Sequence, residues 1–186
     1  MKKIFFVLSL AVLAGTTNSA SAQLYMTRTG KVKFDATTKT SPEKIEGINN
    51  EVASIVDAKT GMVQFQVPVN SFKFEKQLMK EHFDENYMES NKYSKSDFKG
   101  TIQNPGEIDF SKDGTYKVIV KGKLTIHGVT NEVSVSGTFT IKGSSLILKA
   151  DFSVALSDYK ITVPGLVADK IAKLATLSLV SDLTKK

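Results

Sequence analysis

The strongest constraint on how this chain can fold is a period of two that recurs along most of it. In an extended strand successive side chains point to opposite faces, so strict apolar/polar alternation marks a strand with one buried face. Val32, Phe34 and Ala36 alternate with Lys31, Lys33 and Asp35. Val63, Phe65, Val67 and Val69 alternate with Gln64, Gln66 and Pro68, and Phe98, Gly100 and Ile102 with Lys99, Thr101 and Gln103. Tyr116, Val118, Val120, Gly122, Leu124 and Ile126 share one face, with Lys117, Lys121 and Lys123 opposite. Val133 to Ile141 and Leu146 to Leu156 continue the pattern, and Leu177 and Leu179 place a last strand near the end. Asp113-Gly114 and Lys142-Gly143-Ser144 read as tight hairpin turns, Asp57 to Gly61 and His127 to Asn131 as somewhat longer ones. Pro68 suits a strand end, an edge or a bulge.

Two segments break the alternation. Met79, Phe83 and Tyr87 recur at helical spacing within Phe74 to Ser90, with Leu78 and His82 beside them. Val167, Ile171 and Leu174 do so after Pro164, which predicts a short helix over Pro164 to Ala175. About eight strands, mostly hairpin-linked, with one or two short helices give an all-β chain that closes as an antiparallel barrel or stacks as a sandwich. A barrel of that size encloses either side chains or one elongated ligand.

The first 22 residues read as an address. Met1-Lys2-Lys3 is basic, Ile4 to Ala14 is apolar apart from Ser9, and small residues end in Ala20-Ser21-Ala22. That is the layout of a secretory signal peptide, and its apolar run is too short to span a bilayer. The expected organisation is therefore a signal peptide over residues 1–22 and one domain over residues 23–186, periplasmic or secreted, with no membrane span. The whole chain carries 25 Lys+Arg against 19 Asp+Glu, a net +6; without the leader's two lysines it is +4. Acids are interspersed with the bases, so the charge does not argue for nucleic acid. The chain has no Cys, which excludes a disulfide scaffold, thiol catalysis and a cysteine lipid anchor.

Three stretches resemble the YceI-like family. They are Gly61-Met62-Val63-Gln64-Phe65 running into Phe72-Lys73-Phe74, then His82-Phe83-Asp84-Glu85-Asn86-Tyr87-Met88-Glu89-Ser90-Asn91-Lys92-Tyr93 followed by Phe98-Lys99-Gly100, and Gly122-Lys123-Leu124-Thr125-Ile126-His127-Gly128-Val129-Thr130 followed by Val133. Asp151-Phe152-Ser153-Val154 fits as well, and the likeness covers about residues 24 to 182. It departs at Ser94, where the family usually has Pro after the lysine–tyrosine pair. The resemblance implies a lipocalin-like barrel of eight antiparallel strands with an apolar cavity for a polyisoprenoid, an isoprenoid quinone or a fatty amide. It also leaves the protein as a monomer or a homodimer.

The inward faces nominate the cavity. Phe34, Val63, Phe65, Val67, Phe98, Ile102, Val118, Val120, Val135, Phe139, Leu148 and Phe152 are the expected lining. Phe72, Phe74, Leu78, Met79, His82 and Phe83 are the expected mouth or lid. Lys76, Lys80, Lys92 and Lys95 offer ammonium groups to a phosphate head group, among enough acids to make a mixed, solvated face. His82 and His127 are the only imidazoles; no metal-ligand spacing surrounds either, and His127 reads as structural, bonded through its ring to loop backbone. No G-x-S-x-G elbow and no phosphate-cradling glycine loop occur. The expectation is a lipid-binding protein with no catalytic residue, no metal and no cofactor beyond a bound isoprenoid or other long-chain lipid. A ligand-free structural or interaction module and, more remotely, a lipid-modifying enzyme are the alternatives.

Overall fold

The computed structural model describes residues 23–186; the leader expected at residues 1–22 lies outside the described residues. Eight strands follow one another: β1 (Leu24–Thr37), β2 (Glu46–Asp57), β3 (Met62–Pro68), β4 (Lys95–Ile102), β5 (Gly114–Ile126), β6 (Val129–Lys142), β7 (Ser145–Ala155) and β8 (Ile171–Lys185). Each pairs antiparallel with the next, and β8 returns to β1 to close the barrel. Phe34 faces Leu177 and Tyr25 faces Lys185 across that closing seam. Closure gives every strand a hydrogen-bonded neighbour on both sides.

Because the strands run up and down in order, the connections sort into two ends. Residues 38–45, 69–94, 127–128 and 156–170 lie at one end; residues 58–61, 103–113, 143–144 and both described termini lie at the other. The second end is filled. Tyr25, Val52, Val56, Ile102, Ile108, Ile141, Leu146 and Leu183 are buried there together, with Phe110 packed against them. Rings of Phe110 and Tyr25 lie 6.1 Å apart, and those of Phe110 and Phe139 6.2 Å. Burial raises the Tyr25 phenol's pKa above 10.0, its ordinary value.

At the first end the chain leaves β3 through a short 3-10 turn (Val69–Ser71) and forms α1 (Gln77–His82), which continues as a π turn over Phe83–Tyr87. This is the helical segment the Met79–Phe83–Tyr87 spacing predicts. The second predicted helix, over Pro164 to Ala175, does not form. Only Gly165–Val167 makes a single 3-10 turn, and β8 begins at Ile171. Ile171 pairs with Thr37 and Leu174 with Ala155, so strand pairing on both sides outweighs a local helical spacing.

β2 carries no period-two signal in the sequence, for two physical reasons. Its inward positions include Gly47, Asn49 and Ser54 beside Val52 and Val56, so polar and side-chain-less residues stand where apolar ones would mark a face. Its phase also slips: Val32 pairs with Asn49 but Gly30 with Val52, one extra residue on the β2 side. The buried polar groups are satisfied. Asn49 Nδ2 donates to the Pro68 carbonyl at 2.7 Å, and its Oδ1 accepts the Glu51 amide at 2.8 Å.

Two turns differ from expectation. Asp113-Gly114 is not a hairpin tip: it closes the connection 103–113, and Asp113 Oδ1 accepts the Gly143 amide at 2.8 Å. The β5–β6 hairpin is shorter than His127 to Asn131. Only His127 and Gly128 lie outside the strands, with φ of 51° and 72°. Left-handed backbone at both positions matches the twist of a two-residue hairpin. A Cβ on Gly128 would also sit 2.4 Å from Cε1 of Tyr93.

Candidate functional site

Burial along the inward faces changes with height. On β6, Phe139 and Ile141 are 0% and 2% exposed, but Val133, Val135 and Gly137, nearer the loops of the 69–94 end, are only half-buried. On β7, Leu146 and Leu148 are buried and Ala150 and Phe152 half-buried. Inward side chains that touch solvent inside a closed barrel define a cavity. Its volume is about 570 Å³, within the range of small-molecule sites.

The cavity runs from Val63, Val118, Phe139 and Leu148 at its floor to the loops of the open end. Every expected lining residue borders it except Ile102, that is Phe34, Val63, Phe65, Val67, Phe98, Val118, Val120, Val135, Phe139, Leu148 and Phe152. Ile102 instead belongs to the filled end. It is the last residue of β4, its amide donates to the Gly61 carbonyl at 2.9 Å, and its side chain is buried in the plug. All six expected mouth residues, Phe72, Phe74, Leu78, Met79, His82 and Phe83, border the cavity.

Four rings gather at the mouth. Phe34 of β1 stacks on Phe83 of the π turn at 5.3 Å and 12°, and meets Phe72 and Phe74 edge-on at 5.6 Å and 5.7 Å. Phe83 lies 5.2 Å from Phe72 and 4.9 Å from Phe74. Offset and edge geometries favour such pairs beyond the area they bury. Gly47 of β2 makes room for them, since a Cβ there would stand 2.6 Å from Phe34 and 2.9 Å from Phe74.

The sequence did not point to Ile45, Ile161, Val167 or Ile171 as lining residues, yet they border the cavity as well. They belong to, or adjoin, the connections 38–45 and 156–170, whose apolar positions follow no strand period. Val167 lay within the predicted helix, and its spacing signalled burial while misassigning the element.

His127 is held through both ring nitrogens. Nδ1 lies 3.1 Å from the Tyr159 carbonyl oxygen, and Nε2 lies 2.7 Å from Glu89 Oε2. Tyr93 packs edge-on against the ring at 4.6 Å. These contacts tie the β5–β6 hairpin to the 69–94 segment and to the turn Leu156–Tyr159, so the imidazole is structural. His82 is exposed and makes no side-chain hydrogen bond among the described residues. No group of three or more His, Cys, Asp or Glu that could hold a metal ion occurs among them either.

The four lysines considered for a head group are already engaged. Lys76 Nζ lies 2.5 Å from Glu43, whose carboxylate raises the lysine's pKa, and Lys80 pairs with Asp84. Lys95 lies 3.9 Å from Asp97, and Lys92 sits 4.8 Å over the Tyr93 ring. No described helix is long and apolar enough to cross a membrane.

A polyisoprenoid-binding domain of Saccharophagus degradans implicated in plant cell wall breakdown superposes with a TM-score of 0.76. It is 12% identical, with 89% of this chain and 99% of that one covered. BcnA of Burkholderia cenocepacia gives 0.66 at 18% identity, covering 82% and 96%, and the YCEI protein of Campylobacter jejuni 0.60 at 16%, covering 80% and 90%. These likenesses concern the fold. No match was found among curated proteins. The model of the YceI-like domain matches residues 13–180, nearly the whole sequence and every strand in full except the end of β8, and the chain therefore belongs to the family of YceI-like domains.

Proposed function

We infer that the protein binds or carries a long apolar lipid, of the polyisoprenoid, isoprenoid quinone or fatty amide class, outside the cytoplasm. The observation that carries this reading is the cavity itself: about 570 Å³ of space lined almost wholly by apolar side chains and reached through an aromatic mouth. A long hydrocarbon chain gains about 0.8 kcal/mol for each CH₂ taken out of water. Roughly ten such groups supply about 8 kcal/mol, which corresponds to micromolar binding before the cost of association is subtracted. The family, and a structural neighbour that binds polyisoprenoid, support the same reading. The leader-like first 22 residues support extracytoplasmic placement. A binding role is favoured over catalysis because His82, the imidazole at the cavity, has no acid partner among the described residues to orient it as a base.

The test is organic extraction of the purified protein with mass spectrometry of the extract, alongside native mass spectrometry of the intact complex. A long-chain lipid at near one per chain is expected. Val135→Phe and Ala150→Phe, which fill the cavity from β6 and β7, are expected to lose it while keeping the barrel's circular dichroism. Protein that is empty as purified and takes up no offered polyprenol would overturn the reading.

A further inference from the structure

The open end of the barrel carries an exposed apolar tip set in unpaired positive charge. The segment leading into β8 turns at Gly165–Val167. There Val167 faces the cavity, while its neighbour Leu166 is 94% exposed, the most exposed large apolar side chain among the described residues. Leu78 of α1 borders the same cavity and is 60% exposed. Both leucines therefore stand at the rim, where the interior meets solvent. Burying them against the barrel would require a partner surface.

The charge around Leu166 indicates what kind of surface. The connection 38–45 packs against the β8 approach: Thr38 and Thr40 hydroxyls both donate to the Asp169 carbonyl, at 2.7 and 2.9 Å, and the Thr38 amide donates to the Lys170 carbonyl at 3.3 Å. Together with the start of β8 the two segments present Lys39, Lys44, Lys160, Lys170 and Lys173, all exposed, against the acids Glu43, Asp158 and Asp169. Glu43 is taken by Lys76. None of the five lysines forms an ion pair among the described residues, unlike Lys76, Lys80 and Lys95 across the mouth. An exposed leucine on segments that carry more lysines than acids is complementary to an apolar layer beneath an anionic surface.

We propose that this rim docks on an anionic lipid bilayer, with Leu166 inserted at the head-group level and the lysines on the lipid phosphates. Docking through Leu166 brings that side of the cavity mouth to the membrane. A carried lipid then passes between bilayer and barrel without exposing its chain to water. Both described termini lie at the far end, where the Lys186 amide donates to the Leu24 carbonyl. The proposal builds on the lipid-carrier reading but is measured separately from it.

The experiment is sedimentation of the purified protein with vesicles of phosphatidylcholine alone and of phosphatidylcholine mixed with phosphatidylglycerol, at low and high salt. Binding to the mixed vesicles is expected, weakening with salt and falling to background on phosphatidylcholine. The exposed changes Leu166→Asp and Lys170→Glu/Lys173→Glu are each expected to weaken it by about tenfold or more, with unchanged melting temperature. Equal binding to both vesicle types, no binding to either, or variants that bind like the parent would overturn the proposal. The lipid extracted from the same preparations reports on the cavity independently. A loaded protein that ignores vesicles sinks only the docking surface, and an empty one that binds them sinks only the carrier reading.

Discussion

Ser54 of β2 and Ser181 of β8 are not on neighbouring strands, yet their hydroxyls meet at 2.8 Å in the barrel interior, both fully buried. β1 lies between them. Gly30 allows the contact, since a Cβ there would fall 2.4 Å from Ser181 Oγ. Each hydroxyl is the other's partner, so removing one strands the other. Ser54→Ala or Ser181→Ala alone is expected to cost about 1–3 kcal/mol, and the double change clearly less than the sum. Urea unfolding of the three variants measures the cycle; strict additivity would show that the hydroxyls do not interact. Nothing in the sequence marks this pair, because a serine on an inward face reads as a break in the pattern.

At the scale of elements, the turns at Asp57 to Gly61 and Lys142 to Ser144 form where the sequence places them, while those at Asp113-Gly114 and His127 to Asn131 differ. Asp57 opens the β2–β3 turn as its sequence suggests. The Thr60 hydroxyl, joined by the Lys59 and Thr60 amides, holds its carboxyl below the ordinary 3.8 against a smaller upward push from burial. A depressed folded-state pKa stabilises the fold above the unfolded value and loses that contribution as pH falls through the folded one. Asp57→Asn is therefore expected to lower stability at neutral pH, with the gap to the parent closing below about pH 4. Denaturant midpoints at neutral and acid pH check this, and a gap independent of pH would refute it. The mouth segment depends on a longer-range contact. Removing the ring in His127→Ala unties Glu89 and the Tyr159 carbonyl, at a cost of about 1–3 kcal/mol. Faster amide exchange is expected in residues 83–93 and 156–160, with β5 to β7 little changed. The histidine's structural part was legible from its place beside a hairpin glycine, but its partners were not. Glu89 and Tyr159 lie far from it in sequence.

At the scale of the whole molecule, the barrel is plugged at one end and hollow at the other, and that asymmetry is its functional property. A ligand that binds only the folded state raises stability by mass action. A lipid present at about a hundred times its dissociation constant is expected to add about 2.7 kcal/mol. Thermal melts across a concentration series of a long-chain polyprenol would show the midpoint climbing, and the climb should vanish in Val135→Phe. The chain alone determined that this would be an all-β protein with inward Val, Phe and Leu at period two. That follows because alternation is local, written in adjacent residues. It also carried the family's hairpin over Gly122 to Thr130 and nominated wall and mouth residues of which all but Ile102 border the cavity. Only the tertiary structure decided where the interior is filled. Ile102 and Phe139 have the same inward pattern, yet one lies in the plug and the other borders the cavity. The difference is their height along the barrel and which loop packs beneath them. Likewise β2 exists because β1 and β3 supply its partners, and Ile171 and Leu174 are strand residues because β1 and β7 flank them. Pairing between distant segments has no local signature, so closure, plug and mouth belong to the assembled barrel.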